Sequence, residues 1–327
     1  MLKAEYQSRG PIPQDLIEAV PFDKPQLTEG QVLLEMLAAP INPSDVLTLT
    51  GHYGILPPLP AIGGNEGVAR VIEHGEGVSE PAIGQTVLLP MGIGTWATHM
   101  VAKAEKLIAL PNGVDPVQLS MITVNPPTAS LLLSEFVDLK PGDWVIQNAA
   151  NSGVGSYLIT LAKLRGLKTI NVVRRESLIE PLLAAGADVV LVDGDELVEQ
   201  VKAATGGAVI KLGIDAVGGA ATARLGAVLS EGATLVNYGA MSGDACMMPP
   251  TVIIFKDITV RGFWLAKWFR TSTPEKQQAL YASLIGLIAE GKLSAPVHAT
   301  YPVKDIKQAV AAAASGKRNG KVIVVKD

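Results

Sequence analysis

The chain has 327 residues, 48% of them hydrophobic and only 18% charged, which excludes a disordered protein and predicts two domains with ample core. A net charge of −4 and a pI near 5.7 exclude a basic nucleic-acid-binding face, so no nucleic acid is expected as partner. Mean hydropathy is high at +0.31, yet no apolar run reaches the ~18 residues of a membrane span, so no membrane partner is expected either. The remaining explanation is a parallel sheet buried on both faces.

In chain order, residues 1–122 are rich in Gly and Pro and carry short strand-like runs: "GQVLLEMLAAPI", "GVARVIEHG" and "GQTVLLP". They predict a β-rich domain. From about residue 123 the pattern changes. "PTASLLLSEFVDL" has helical spacing and "PGDWVIQNAA" reads as a strand. Strands and helices then alternate. The strands are "KTINVV", "DVVLVD", "VIKLGIDAVG" and "ATLVNYG"; the helices are "SGVGSYLITLAKLRG", "ESLIEPLLAAGA", "DELVEQVKAATGG" and "GAATARLGAVLSEG". Such alternation predicts βαβ units on a parallel sheet. After it come a strand in "ITVRGFW", the long helix "TPEKQQALYASLIGLIAEGKL" and the terminal strand "GKVIVV". The expected division is a β-rich domain of residues 1–122 and 267–327, with an α/β domain of 123–266 inserted.

The turn Ala150-x-x-Gly153-x-Gly155 departs from G-x-G-x-x-G, but it lies between a strand and a helix and is followed by further βαβ units. Small residues there let a pyrophosphate approach the N-terminus of the helix; a plain tight turn would use the same glycines. At the end of the next strand a carboxylate would hold the ribose hydroxyls of NAD. Here the chain has Arg174 and Arg175, whose guanidinium groups suit the 2′-phosphate of NADPH, although two solvated arginines at a helix start would read the same.

The four histidines, His52, His74, His99 and His298, are scattered, and Cys246 is the only cysteine. No metal is expected, and a reducing, cytoplasmic compartment is. Asn65 is a poor metal ligand, and Glu66 and Asp45 are expected to tie loops together. Proton donation then falls to Tyr53, in the loop Gly51-His52-Tyr53-Gly54 before the wall "ILPPLPAIGG"; a tyrosine packing its ring on that wall is the competing reading. Asn42 and Ser44, in "INPSD", are candidates to orient the cofactor amide or form a simple Asn-Pro turn. Trp264 and Trp268, in "RGFWLAKW", would line an acyl channel or pack a subunit interface.

The stretches "MLAAPINPSD", "GHYGILPPLPAIGGNEGVA", "VNPPTAS", "VIQNAANSGVG", "TINVVRR" and "IFKDITVRGFWLAKW" together resemble the medium-chain dehydrogenase/reductase superfamily. Within its zinc-free, quinone-reductase-like branch, they are most similar to the mitochondrial-type trans-2-enoyl thioester reductases. The resemblance implies a GroES-like catalytic domain, a Rossmann domain and a homodimer. It implies an NADPH-dependent enzyme of fatty acid metabolism that reduces an enoyl thioester of CoA or acyl carrier protein, with hydride to Cβ and a proton to Cα. It implies Tyr53 as donor and cofactor contacts at Asn125, Asn151, Ser152, Gly153, Val154, Arg174, Arg175, Tyr238, Gly239, Ala240, Met241, Phe263, Trp264, Leu265, Ala266 and Lys321. A quinone or enone reductase on the same scaffold is the alternative, and a basic mouth at Lys267 and Arg270 would favour the thioester. A non-catalytic NADPH-binding protein is a third reading.

Overall fold

The protein is described by a computed structural model covering residues 1–316 and 318–326. It folds as two compact units, Met1–Val124 with Ser283–Asp327, and Asn125–Ala282. Lys317 and Asp327, which fall in the expected catalytic domain, lie outside the described residues.

The spine of the first unit is the 11-residue strand Gln31–Ile41. One edge pairs with Val68–His74. The other is shared by His99–Lys103, opposite residues 31–35, and Lys321–Val325, opposite residues 38–41. With Val297–Pro302, Thr86–Leu88 and Ile108–Ala109 these strands form a seven-stranded sheet. Leu2–Tyr6, Ile17–Pro21 and Ala61–Ile62 form a second sheet. Helix Ile306–Ala314 buries Ile306, Ala309, Val310 and Ala313, one apolar stripe at i, i+3, i+4 and i+7, in the same core as Val32, Leu34, Met36 and Trp96. The long strand supplies the apolar floor and the C-terminal segment closes it.

The glycines of "IGGNEG" have a packing cause. Trp96 is fully buried, and a Cβ at Gly63 would lie 2.3 Å from its Cε3. Gly64 has φ +95°, and a Cβ there would lie 2.3 Å from the Thr95 hydroxyl oxygen. Asn65 and Glu66 are therefore set on a backbone pressed against an indole.

The second unit holds six parallel strands in the order Val189–Val192, Lys168–Val173, Trp144–Gln147, Ile210–Asp215, Thr234–Asn237, Thr259–Gly262. Counted along the chain this is 3-2-1-4-5-6, the doubly wound dinucleotide-binding order. Two separate apolar clusters cover the sheet. One joins Ile170 and Val172 to Leu197, Val201 and Leu225; the other joins Val173 and Val190 to Ile159, Leu178 and Leu182. The strands are thus apolar on both faces, which accounts for the high mean hydropathy.

Residues 267–282, expected in the catalytic domain, fall within the second unit. Within this unit Phe269 stacks on Tyr281 at 5.6 Å, and the Gln277 amide donates to Phe269 O at 2.7 Å, tying helix Leu265–Thr271 to residues 274–282. Among the described residues, no helix is long and apolar enough to cross a membrane.

Candidate functional site

In the first unit the segment "INPSD" is not a loop. Asn42 caps helix Pro43–Thr50: Pro43 supplies the fixed φ of a first helical residue, and the Asn42 N–H donates to Asp45 Oδ2 at 2.7 Å. The helix ends on Gly51 at φ +83°, with Gly51 N–H donating to Thr48 O (3.3 Å) and His52 N–H to Leu47 O (2.8 Å). This closure needs a left-handed residue and sets Tyr53 three residues beyond the helix. The Tyr53 side chain is half-buried, and the exposed Ile55 and Leu56 follow it.

Behind this loop lies a buried polar network. The Lys321 ammonium, 3% exposed, donates to Asn42 Oδ1 and to Ile41 O (3.2 Å). The Asn42 amide donates to Glu66 Oε1 at 2.6 Å, and Glu66 Oε2 accepts from the Val124 N–H at 2.9 Å. The Asn65 amide donates to Asp45 Oδ1 at 2.6 Å. Burial raises the Asp45 carboxyl to about 6, against the opposing bonds from Asn42 and Asn65 and the charge of Lys321. It raises Glu66 and lowers Lys321 in the same way, each partly offset by the other's charge. Lys321 is thus a buried anchor for Asn42. The expectation that Glu66 and Asp45 tie the loops together describes what these carboxylates do here.

A zinc ion does not fit these residues. Asn65 and Asn42 aim amide N–H groups at the carboxylates, and no cysteine or histidine joins them. Among the described residues, no group of three or more His, Cys, Asp or Glu side chains is placed to hold a metal ion.

In the second unit the strand Trp144–Gln147 runs into Ala149, at φ +48°, and then into Ser152, which caps helix Gly153–Leu164 by accepting the Gly155 N–H at 3.1 Å. A Cβ at Gly155 would lie 2.4 Å from Ala150 O, so only glycine fits. Asn151, Ser152 and Gly153 are partly exposed at the start of this 12-residue helix, and Val154 is nearly buried. The turn fits a dinucleotide pyrophosphate: a pressed-down backbone, a hydroxyl cap and the positive end of a helix.

Beside it stands a carboxylate that motif reading missed. Asp215, fully buried at the end of Ile210–Asp215, accepts from Asn148 (2.6 Å), Thr222 (2.6 Å), Asn237 (3.0 Å), and the N–H groups of Val217 (2.9 Å) and Gly218 (3.1 Å). Burial pushes its pKa up, but these donors prevail and hold it below the usual range. It fixes the segment around Tyr238. Tyr238 N–H donates to Asp215 O (2.9 Å), Met241 N–H to Ala216 O (3.1 Å), and a Cβ at Gly239 would lie 2.7 Å from Ala216 O. The Tyr238 hydroxyl is hydrogen-bonded to Ser152, and burial raises its pKa. Tyr238 and Gly239 are partly exposed, whereas Ala240 and Met241 are exposed. The only sequence signal for Asp215 was an acid ending an otherwise apolar strand.

The other expected residues lie as follows. Arg174 and Arg175 are exposed just past strand Lys168–Val173, and neither makes an ion pair among the described residues. Asn125 begins the wholly buried helix Asn125–Leu132. Phe263 meets the Phe136 ring edge-on at 5.8 Å. Arg270 lies 5.7 Å over the Trp264 ring. Leu265 is buried and Ala266 half-buried.

Comparison with known proteins agrees with this geometry. Residues 28–112 match the alcohol dehydrogenase GroES-like domain, and residues 153–282 the zinc-binding dehydrogenase family. The mitochondrial enoyl-[acyl-carrier-protein] reductase of Rattus norvegicus is 39% identical over 306 residues, 92% of this chain and 82% of that protein. A structure from Bacillus thuringiensis, provisionally assigned as an NADPH:quinone reductase, superposes with a TM-score of 0.90 at 29% identity, covering 100% of this chain and 99% of the other. Etr1p, in complex with NADP and crotonyl-CoA, superposes with a TM-score of 0.88 at 27% identity, covering 99% of each chain. The chain belongs to the medium-chain dehydrogenase/reductase superfamily, in the family of the mitochondrial-type enoyl-[acyl-carrier-protein] reductases.

Two outcomes test this geometry. Replacing Gly155 with Ala should weaken NADPH binding by roughly tenfold, the strain of an overpacked backbone being about 1–3 kcal/mol; a fluorescence titration showing unchanged affinity would refute the close approach. The second concerns Asp45, whose folded pKa is raised from 3.8 to about 6. Its contribution to stability is fully present below 3.8 and is lost as pH rises through 6, an expected decline of roughly 3 kcal/mol. Asp45→Asn cannot titrate and should lack that decline. Urea unfolding at pH 4 and pH 6 with equal changes in both proteins would sink this account.

Proposed function

We propose that this protein is an NADPH-dependent reductase of trans-2-enoyl thioesters, carried on CoA or acyl carrier protein. The carrying observation is family membership at 39% identity over most of the chain, together with a second unit built to hold a phosphorylated dinucleotide. The alternative, quinone or enone reduction, is favoured by the 29% identical Bacillus thuringiensis neighbour.

When bound, the reduced nicotinamide supplies the hydride that adds to Cβ of the enoyl group. The chain's own residues do the rest. Tyr53 gives its phenolic proton to Cα and is reprotonated from solvent through its exposed loop. Asn42, held between Lys321 and Glu66, keeps the helix start at Pro43 fixed and so fixes the loop that carries Tyr53. In this reading the cofactor contacts fall on Asn125, Asn151–Val154, Arg174, Arg175, Tyr238–Met241 and Phe263–Ala266. In this reading Lys321 acts through Asn42, which it anchors. The pyrophosphate takes the N–H groups at Gly153 and Val154, and Arg174 and Arg175 take the 2′-phosphate, each charge-assisted bond contributing about 1.5–3 kcal/mol.

A homodimer is part of the proposal. Edge strand Thr259–Gly262 is exposed throughout, and helix Pro250–Lys256 beside it exposes Ile254 at 69% and Phe255 at 77%, an apolar rim that a second copy would cover. A cytoplasmic setting suits the single, exposed Cys246.

Oxidation of NADPH should be fast with crotonyl-CoA and slow with benzoquinone, and Tyr53→Phe should lower kcat by roughly 10²–10⁴. Turnover of the quinone alone would overturn the substrate class, and a loss below about threefold would remove Tyr53 as donor. Light scattering should give twice the 34.2 kDa chain mass, falling to a single chain's mass when Val260 in the edge strand is replaced by Pro; a monomeric wild type would dispose of the dimer.

A further inference from the structure

The two strands nearest the expected 2′-phosphate subsite end side by side. Val173 pairs with Val192, and the Asp193 N–H donates to Val173 O at 2.8 Å. Arg174 and Asp193 are therefore the first residues past two paired strand ends, their backbones about 5 Å apart. A carboxylate at that place is awkward for NADPH: it repels a phosphate dianion, competes for the guanidinium groups that should receive it, and can accept the bare 2′-hydroxyl of NADH. Asp195 and Glu196 follow directly and add negative charge.

Asp193 is not free to do any of this. Arg224, on helix Gly219–Val228, holds it in a two-pronged pair: Nε donates to Oδ1 at 2.6 Å and Nη2 to Oδ2 at 2.6 Å. Both side chains are partly buried, 28% and 19% exposed. Arg174 and Arg175 meanwhile make no ion pair among the described residues and remain available to an anion. Of the three arginines at this end of the sheet, one is engaged by a carboxylate and two are not.

We propose that Arg224 is a specificity-determining residue: by clamping Asp193 it keeps that carboxylate away from the 2′-phosphate subsite at Arg174 and Arg175, and so sets the preference for NADPH over NADH. Arg224 acts through Asp193 and is a positioning residue, not a phosphate ligand. The inference rests on the NADPH reading above.

The test measures binding by the purified full-length chain, using NADPH, NADH, 2′,5′-ADP and 5′-AMP in titration calorimetry. Arg224→Ala should weaken NADPH and 2′,5′-ADP by roughly tenfold, the loss expected for about one charge-assisted bond, while NADH and 5′-AMP change by less than about threefold. Adding Asp193→Asn to Arg224→Ala should restore the NADPH preference, which a merely structural role for the pair would not allow. Asp193→Asn alone, which does not depend on the folding of the arginine variant, should keep the preference or strengthen it. Equal weakening of all four probes, no rescue in the double variant, or a preference lost in Asp193→Asn alone would overturn the role of Arg224. A wild-type chain that binds NADH as tightly as NADPH would overturn the cofactor reading itself, and this proposal with it.

Discussion

The catalytic unit depends on one buried ammonium. Lys321 opens the last strand of the chain, yet its Nζ reaches Ile41 O and Asn42 Oδ1, nearly the whole sequence away. A buried charge without partners would be prohibitive, so the Lys321–Val325 strand must lie against residues 38–41 for the ammonium to be satisfied. That pairing makes the unit discontinuous in sequence, with residues 125–282 held between its two parts. Asn42 transmits the constraint. Its carbonyl oxygen is fixed by Lys321 and its amide by Glu66, and its backbone starts the helix that ends just before Tyr53.

The nucleotide unit is organised around a buried charge of the opposite sign. Asp215 gathers five donors and so locks the end of the unit's fourth strand to Asn148, just past the first, and to Asn237, at the end of the fifth. These strand ends flank the point where the sheet order reverses, the place where open α/β sheets bind ligands. The carboxylate is occupied by these donors, so its role is to hold shape. Asp193 is handled the same way by Arg224. In each case an acid is kept satisfied by protein donors, while Arg174 and Arg175 stay exposed.

Much of this was legible in the sequence. The strands "KTINVV" and "GKVIVV" stand almost as read, because continuous β-branched runs bounded by turn residues have few alternatives. Other elements were hidden. "INPSD" looked like a turn, since Asn-Pro signals a turn and a helix start alike, and only the Asp45 bond back to Asn42 decides for the helix. Helix Pro250–Lys256 gave no signal because Ile253, Ile254 and Phe255 face outward instead of forming a buried stripe.

By itself the sequence determined the class of each unit and the glycine turn that opens a helix, and it offered a candidate proton donor, because these rest on local spacing and on residue types with few substitutes. Tertiary structure alone decided what the charged residues do. Lys321 is buried against Asn42, which it anchors. Asp215 is a scaffold, and Asp193 is held by an arginine 31 residues away. The physical reason is that a buried charge is defined by its partners, and here those partners come from distant parts of the chain that no local pattern connects.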